Sequence, residues 1–249
     1  MKKSFLFFTA FLLIIGHTAV FAAPPASGET PASAETSASG ETSASEEDSP
    51  LSFSLDIETG AAFTGYNDVE IPADGGTKFS LADDLSADPV WFYRLRAGAD
   101  YRNHSVSLLY APLTVESTGN YDKAIEFNGE TFAAGTDLTG TFKFNSYRFT
   151  YAYRFVNNPS FVFAAGLTGK VRDAYISLEN DNDPDNEAKR ENLGVVPLIH
   201  LSARWNFAPP FSLLLEGDGL AVPQGRAEDF LLALLYSLDE KTDLRIGYR

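Results

Sequence analysis

From Leu51 to the end of the chain, apolar and polar side chains alternate with a period of two in segments of 8 to 14 residues. A β-strand points successive side chains to opposite faces, so this period gives each class a face of its own, which a helix cannot do. Phe53, Leu55, Ile57, Ala61 and Phe63 oppose Ser54, Asp56, Glu58 and Gly60. Trp91, Tyr93, Leu95, Ala97, Ala99 and Tyr101 oppose Arg94, Arg96, Gly98, Asp100 and Arg102. Tyr147, Phe149, Tyr151, Tyr153 and Phe155 oppose Arg148, Thr150 and Arg154, and the run from Phe161 to Val171 opposes Gly166, Thr168, Lys170 and Arg172. Further on, Val195 to Phe207 oppose His200, Ser202, Arg204 and Asn206. Phe211, Leu213 and Leu215 oppose Ser212, Glu216 and Asp218, and Leu244, Ile246 and Tyr248 oppose Arg245, Gly247 and Arg249.

Two segments alternate less cleanly, Val106 to Val115 and Phe230 to Leu238, because Leu109, Leu113, Leu231 and Leu235 make both faces apolar. Both are expected as strands, with helix the alternative for Glu228 to Ser237, giving about nine strands.

The occupants of the faces decide the architecture. A soluble sandwich buries its apolar face in a thin core and leaves arginines in water. Here one face is heavily aromatic and the other carries charges of both signs on nearly every strand, which suits a barrel turned inside out, apolar toward lipid and ionic toward the lumen. Lipid cannot satisfy a free sheet edge, so such strands must close on themselves. The connections also alternate in length. Residues 67–89, 117–140 and 174–192 are long, 103–104, 156–159, 208–210 and 239–242 short, and 222–227 intermediate. Short turns on one side and long loops on the other place the N-terminus in the periplasm. Tyr101, Phe155, Phe161, Trp205, Phe207 and Phe211 are expected as the periplasmic aromatic girdle, with Tyr66 and Trp91 near the outer one. The alternative is a soluble periplasmic sandwich or lipocalin-like barrel.

The start of the chain fits export. Lys2 and Lys3 precede an apolar stretch from Phe5 to Ile15, and Val20-Phe21-Ala22 offers small residues for cleavage after Ala22, the layout of a secretory signal peptide. Residues 23–50 are a Pro/Ala/Ser/Thr/Glu-rich stretch without apolar periodicity, expected as a disordered periplasmic tether. Without cysteine there is no lipobox, disulfide or thiolate metal site. Beyond the signal, 34 acids stand against 17 bases, which argues against a phosphate-binding face for nucleic acid.

On these features, residues 51–249 resemble the small outer-membrane β-barrels of Gram-negative bacteria, the OmpA-like and OmpW-like class. The match is to a class pattern rather than a motif; Leu215-Glu216-Gly217-Asp218-Gly219 through Pro223 to Asp229 looks like a family signature without a known activity. The resemblance implies an all-β antiparallel up-and-down transmembrane barrel of 8–10 strands. It also implies a monomer, with outer-membrane lipid, lipopolysaccharide and the barrel-assembly machinery as partners, and no cofactor. Members of the class usually end in an aromatic residue. This sequence stops at Arg249 in an outward-going strand, so a tenth strand is expected to be missing or a blurred segment miscounted.

Three sets of residues are candidate sites. The inward polar face gathers Asp56, Glu58, Arg94, Arg96, Asp100, Arg148, Arg154, Lys170, Arg172, His200, Arg204, Glu216 and Asp218, which either line a charge-selective pore or pair to fill a solid lumen. His200 and Ser202 resemble the His-x-Ser pair of lipid A deacylases, with Glu216 available to orient the histidine. In those enzymes the pair faces the membrane, whereas the alternation here turns both inward. Asp181, Asp183, Asp185 and Glu187 alternate in an acidic loop that suggests Ca²⁺, yet Asn186 and Asn192 break the EF-hand pattern, and a solvated loop is the other reading. Phe127-Asn128-Gly129-Glu130 reads as a two-residue hairpin turn.

Overall fold

The computed structural model describes residues 9–12, 16–22, 51–222 and 225–249. The expected tether and most of the apolar leader core lie outside the described residues. The described chain contains no helix. Its strands are β1 (Thr9–Leu12), β2 (Gly16–Ala22), β3 (Leu51–Thr64), β4 (Val90–Tyr101), β5 (His104–Ala111), β6 (Thr114–Asn120), β7 (Asp137–Asn157), β8 (Phe161–Asn180), β9 (Asp183–Ala208), β10 (Phe211–Val222), β11 (Gly225–Ser237) and β12 (Thr242–Tyr248).

Sequential strands pair antiparallel from β3 through to β12, and β2 closes the ring by pairing with both β12 and β3. This is an up-and-down antiparallel β-barrel, the expected fold class. Between residues 51 and 249 there are nine staves, counting β5 and β6 as one stave interrupted at Pro112-Leu113. Both halves of that stave pair with β7. Proline offers no N–H to the ladder, so the stave breaks there. The tenth place is taken by β1 and β2. Thr9–Leu12 lie against Ala61–Thr64, and His17–Ala22 against Ser52–Ile57.

The alternation read from sequence is realised with its apolar side outward. Trp91, Leu193, Val195, Leu167 and Phe155 are each more than 60% exposed, and Phe53, Tyr93, Phe149, Ile199, Trp205, Phe230 and Ile246 share that surface. Asp56, Glu58, Arg94, Arg148, Lys170, His200 and Asp218 are buried on the other face. The blurred segment Phe230–Leu238 is a strand, not the alternative helix. Phe230, Leu232, Leu234 and Tyr236 point outward, while Leu231, Ala233 and Leu235 form a small apolar patch inside the tube with Leu214 and Phe92.

The long connections differ from expectation. Residues 174–192 are not a loop: β8 and β9 continue as a ladder to Asn180↔Asp183, so the connection shrinks to residues 181 and 182 and a tall hairpin projects from the barrel. Apolar residues inside that span (Ala174, Ile176, Leu178, Ala188) keep the ladder going because they face a second core. That core joins Leu138, Leu178 and Ala188 of the tall wall to Val69, Phe79, Leu81 and Leu85 of the 67–89 connection and to Ile125, Phe127 and Phe132. The last three come from a hairpin in which Ile125–Phe127 pair with Glu130–Phe132, turned by Asn128 (φ 48°) and Gly129 (φ 95°) as the type I′ pattern requires. The 222–227 connection also tightens, to the two residues between Val222 and Gly225, which pair.

The long-loop end of the barrel is therefore covered by an apolar cap. Phe79 meets Phe127 edge to face at 6.2 Å, and Phe127 and Phe132 are fully buried. Phe127→Ala should remove about 3–5 kcal/mol from the cap. The expected readout is faster proteolysis within residues 65–89 and 121–136, with the urea midpoint of the strands unchanged.

Candidate functional site

Among the described residues, the interior of the tube concentrates the chemistry-bearing groups. Adjacent strands set their inward charges side by side by register: Asp56 opposite Arg96, Glu58 opposite Arg94, and His200 opposite Asp218. The side chains then reach across the tube as well as along the wall. Glu58 accepts from Arg249 Nε (2.9 Å), Arg249 Nη2 (2.8 Å) and Arg245 Nη2 (2.8 Å), and Arg245 Nη1 donates to Asp56 at 2.6 Å. Asp229 receives three guanidinium groups, from Arg94 (3.1 Å), Arg148 (2.6 Å) and Arg249 (2.7 Å). Arg148 also holds Asp218 at 2.7 Å, and Arg96 grips Glu216 with two hydrogen bonds of 2.9 and 2.6 Å. Toward the short turns, Arg154 pairs with Asp100 at 2.5 Å, and Arg204 with Asp243 at 2.6 Å.

These pairs fill the middle of the lumen. The space between Asp56, Glu58, Arg94, Arg96, Leu109 and Arg245 has no volume for a water molecule. Packing this tight leaves Asp56 Oδ1, Arg94 Nε and Nη2, and Arg245 Nε without hydrogen-bond partners. Below this layer, toward the short turns, a cavity of about 230 Å³ opens among Ser54, Ser105, Ser107, Ser202, His200 and Arg154. Gly98 and Gly166 keep the wall thin here: a Cβ on Gly98 would stand 2.6 Å from Ser54 Oγ, and one on Gly166 would run into the Tyr151 carbonyl.

Of the thirteen residues singled out from sequence, Asp56, Glu58, Arg94, Arg148, Lys170, His200 and Asp218 are buried and the other six are half-buried. The alternation did not bring out Asp229, Asp243 and the two C-terminal arginines as its partners. Arg245 and Arg249 were on the inward face of their segment, and Asp229 could have been placed by counting back in twos from Leu231.

The histidine is held differently from the sequence expectation. Asp218 Oδ1, not Glu216, lies 2.9 Å from His200 Nδ1, because Glu216 is taken by Arg96 and faces Ser202 in the ladder. Asp218 Oδ1 also accepts from Thr168 Oγ1 at 2.7 Å, which in turn meets Thr150 Oγ1 at 2.7 Å. Among the described residues no hydrogen bond joins Ser202 to His200, and the hydroxyl that meets the His–Asp pair is that of Thr168, on the Asp218 side.

Of the four acidic residues at the hairpin tip, Asp181 lies in the turn and Asp183, Asp185 and Glu187 follow along β9, all exposed. Asp181 accepts from Thr139 Oγ1 at 2.8 Å, and Asp183 Oδ1 from the Asp185 N–H at 3.4 Å. Among the described residues no group of acids or histidines has the geometry to hold a metal. Tyr66, expected at the outer girdle, is half-buried in the cap, where its hydroxyl donates to Asp68 at 2.8 Å and its phenol is thereby raised above its usual range. At the opposite end, the Lys241 N–H donates to Asp239 at 2.7 Å and holds that carboxyl below its usual value.

Asp229 is the group on which most of the layer converges, so Asp229→Asn should destabilise the folded barrel by about 3–5 kcal/mol, leaving three guanidinium groups short of charge. Urea unfolding in detergent, followed by the fluorescence of Trp91 and Trp205, measures this. Asp239→Asn, in an exposed turn, should shift the midpoint far less. Compared with protein-family models, curated proteins and solved structures, this chain has no match.

Proposed function

We propose that this protein is a structural outer-membrane β-barrel of a Gram-negative bacterium, closed by its own ion pairs and without covalent chemistry. The observation that carries the reading is the inverted distribution of side chains. A belt of Trp, Tyr, Phe, Leu and Ile surrounds the tube on the outside, and its arginines and carboxylates meet inside. In water that surface would be an aggregation hazard; against acyl chains it is the stable arrangement. The lipocalin-like alternative needs the opposite arrangement, an apolar cavity inside a polar wall. Trp205, Phe207 and Phe211 sit beside the short turns, where an aromatic girdle belongs.

The ionic layer and the apolar cap stand in series along the axis, which favours a closed barrel over a solute channel. Lipid and lipopolysaccharide are its surroundings, and the leader directs it there through the barrel-assembly machinery. Removal of the leader takes away the strand between β3 and β12. Arg245 and Arg249 already bridge that place by their bonds to Asp56 and Glu58.

Expressed with its leader, the protein should fractionate with the outer membrane, migrate differently on a gel before and after heating, and begin at Ala23 by intact mass. In planar bilayers it should give no discrete conductance steps. Recovery in the soluble periplasmic fraction would overturn the membrane reading, and regular conductance steps the closed-barrel reading. Ile199→Arg, in the middle of the apolar face of β9, should cost about 2–4 kcal/mol of folding free energy in vesicles. An unchanged urea midpoint would count against lipid on that face.

A further inference from the structure

The charge inside the tube does not cancel. Among the described residues its seven carboxylates are engaged by seven arginines in the pairs described above. Two cations, Lys170 and Arg172, have no carboxylate within ion-pair distance, Asp229 reaching Lys170 only through its field. They are neighbours, two residues apart on the inward face of β8. Lys170 lies directly opposite Arg148 in the ladder, and Arg172 opposite Ser146. Like charges facing each other across a ladder repel. A buried charge persists only where something pairs with it.

Neither cation is satisfied by what surrounds it. Lys170 is 8% exposed, and its ammonium rests 4.6 Å from the centre of the Phe144 ring, a contact that supplies no acceptor. Arg172 donates through Nη2 to Asn192 Oδ1 at 2.6 Å, while its buried Nε has no partner. Across the ladder from Arg172 stands Ser146, itself 2% exposed. Its Oγ accepts from Arg148 Nε at 3.1 Å, which leaves the hydroxyl proton free to donate.

We propose that Lys170, Arg172 and Ser146 form a binding site for a small divalent oxyanion of the phosphate or sulfate class. Alternate residues of a strand lie about 7 Å apart, so an ammonium and a guanidinium there can grasp one tetrahedral anion from two sides. The guanidinium fork matches two oxygens of such an anion, and the serine hydroxyl supplies a further donor. The excess of two positive charges equals the charge of the ligand. Its place is the outer half of the lumen, between the ion-pair layer and the apolar cap.

The test uses the full-length protein folded in zwitterionic detergent, with inorganic phosphate titrated at constant ionic strength against sodium gluconate. The unfolding temperature of the wild type should rise saturably, by about 5 °C at a hundredfold excess over Kd, and sulfate should act alike. The double variant Lys170→Met/Arg172→Gln should show no rise. A wild-type midpoint that phosphate does not move, or a double variant that moves as far as the wild type, would overturn the site. Should the double variant not fold, phosphorus NMR on the wild type decides. A phosphate line broadened by the protein and sharpened again by sulfate supports the site, and a line the protein leaves sharp refutes it.

Discussion

Glu58 and Asp229 do for this barrel what a hydrophobic core does for a soluble domain. A backbone ladder couples each strand only to its two neighbours, and nothing in it fixes how strands on opposite sides of the tube stand to one another. The two carboxylates supply that coupling. Glu58 on β3 takes both arginines that follow the last turn, and Asp229 on β11 takes guanidinium groups from β4, β7 and the C-terminal Arg249. Five walls meet at two side chains. Such a centre stabilises only as a whole, because removal of one partner strands the others in a space with no room for water. That is the physical reason the lumen is filled rather than hollow.

The chain uses opposite materials for its two interiors. Where the exterior is apolar, apolar side chains inside would gain nothing from water exclusion, and the tube is held by ion pairs. Beyond the belt the ordinary arrangement returns, as it would where the proposed membrane ends: Phe79, Phe127, Phe132, Leu81 and Leu138 bury one another. The apolar patch of Leu214, Leu231 and Leu235, like Leu109, is an exception within the tube, and Leu231 and Leu235 explain why the period of two fades in their segment.

The barrel was legible from the sequence because each strand declares its two faces. Phe149 against Arg148, or Ile199 against His200, needs no partner strand to be read. The network was half legible. The alternation shows that Arg148 and Asp218 both point inward, but their bond depends on a diagonal reach across the tube that no single-strand pattern encodes. His200 illustrates this limit. Both Glu216 and Asp218 were inward on the neighbouring strand, and only the register, together with the competing claim of Arg96 on Glu216, assigns the imidazole to Asp218. Of the cap, the sequence shows the turn at Phe127-Asn128-Gly129-Glu130, which forms; the strands themselves are two or three residues long, too short for a period to show. Residues 174–192 were read as a loop because their charges mask Ile176, Leu178 and Ala188.

The walls are of unequal height, and the sequence of the tallest strand answers the problem this creates. β9 pairs with β10 only from Ile199 to Ala208, so among the described residues Asp183–Leu198 have a strand on one side alone. A stretch of sixteen residues with no second strand beside it is a template for adding another chain. Here only the cap touches it, where Asn128 Nδ2 donates to the Lys189 carbonyl at 2.9 Å and Asn186 Nδ2 to the Thr131 carbonyl at 3.4 Å. The edge carries Pro184 and Pro197, which offer no N–H to a newcomer, and between them Glu187, Lys189, Arg190 and Glu191. Lys189 is drawn to Glu191 at 2.6 Å and lies over the Tyr175 ring at 4.3 Å. Under the proposed membrane placement, copies held upright in one bilayer could meet at this edge only in parallel. In register, each acidic residue would then face its own copy, and the repulsion adds to the missing donors. The same charges that hide the upper part of this strand from a reading by periodicity thus keep its edge single.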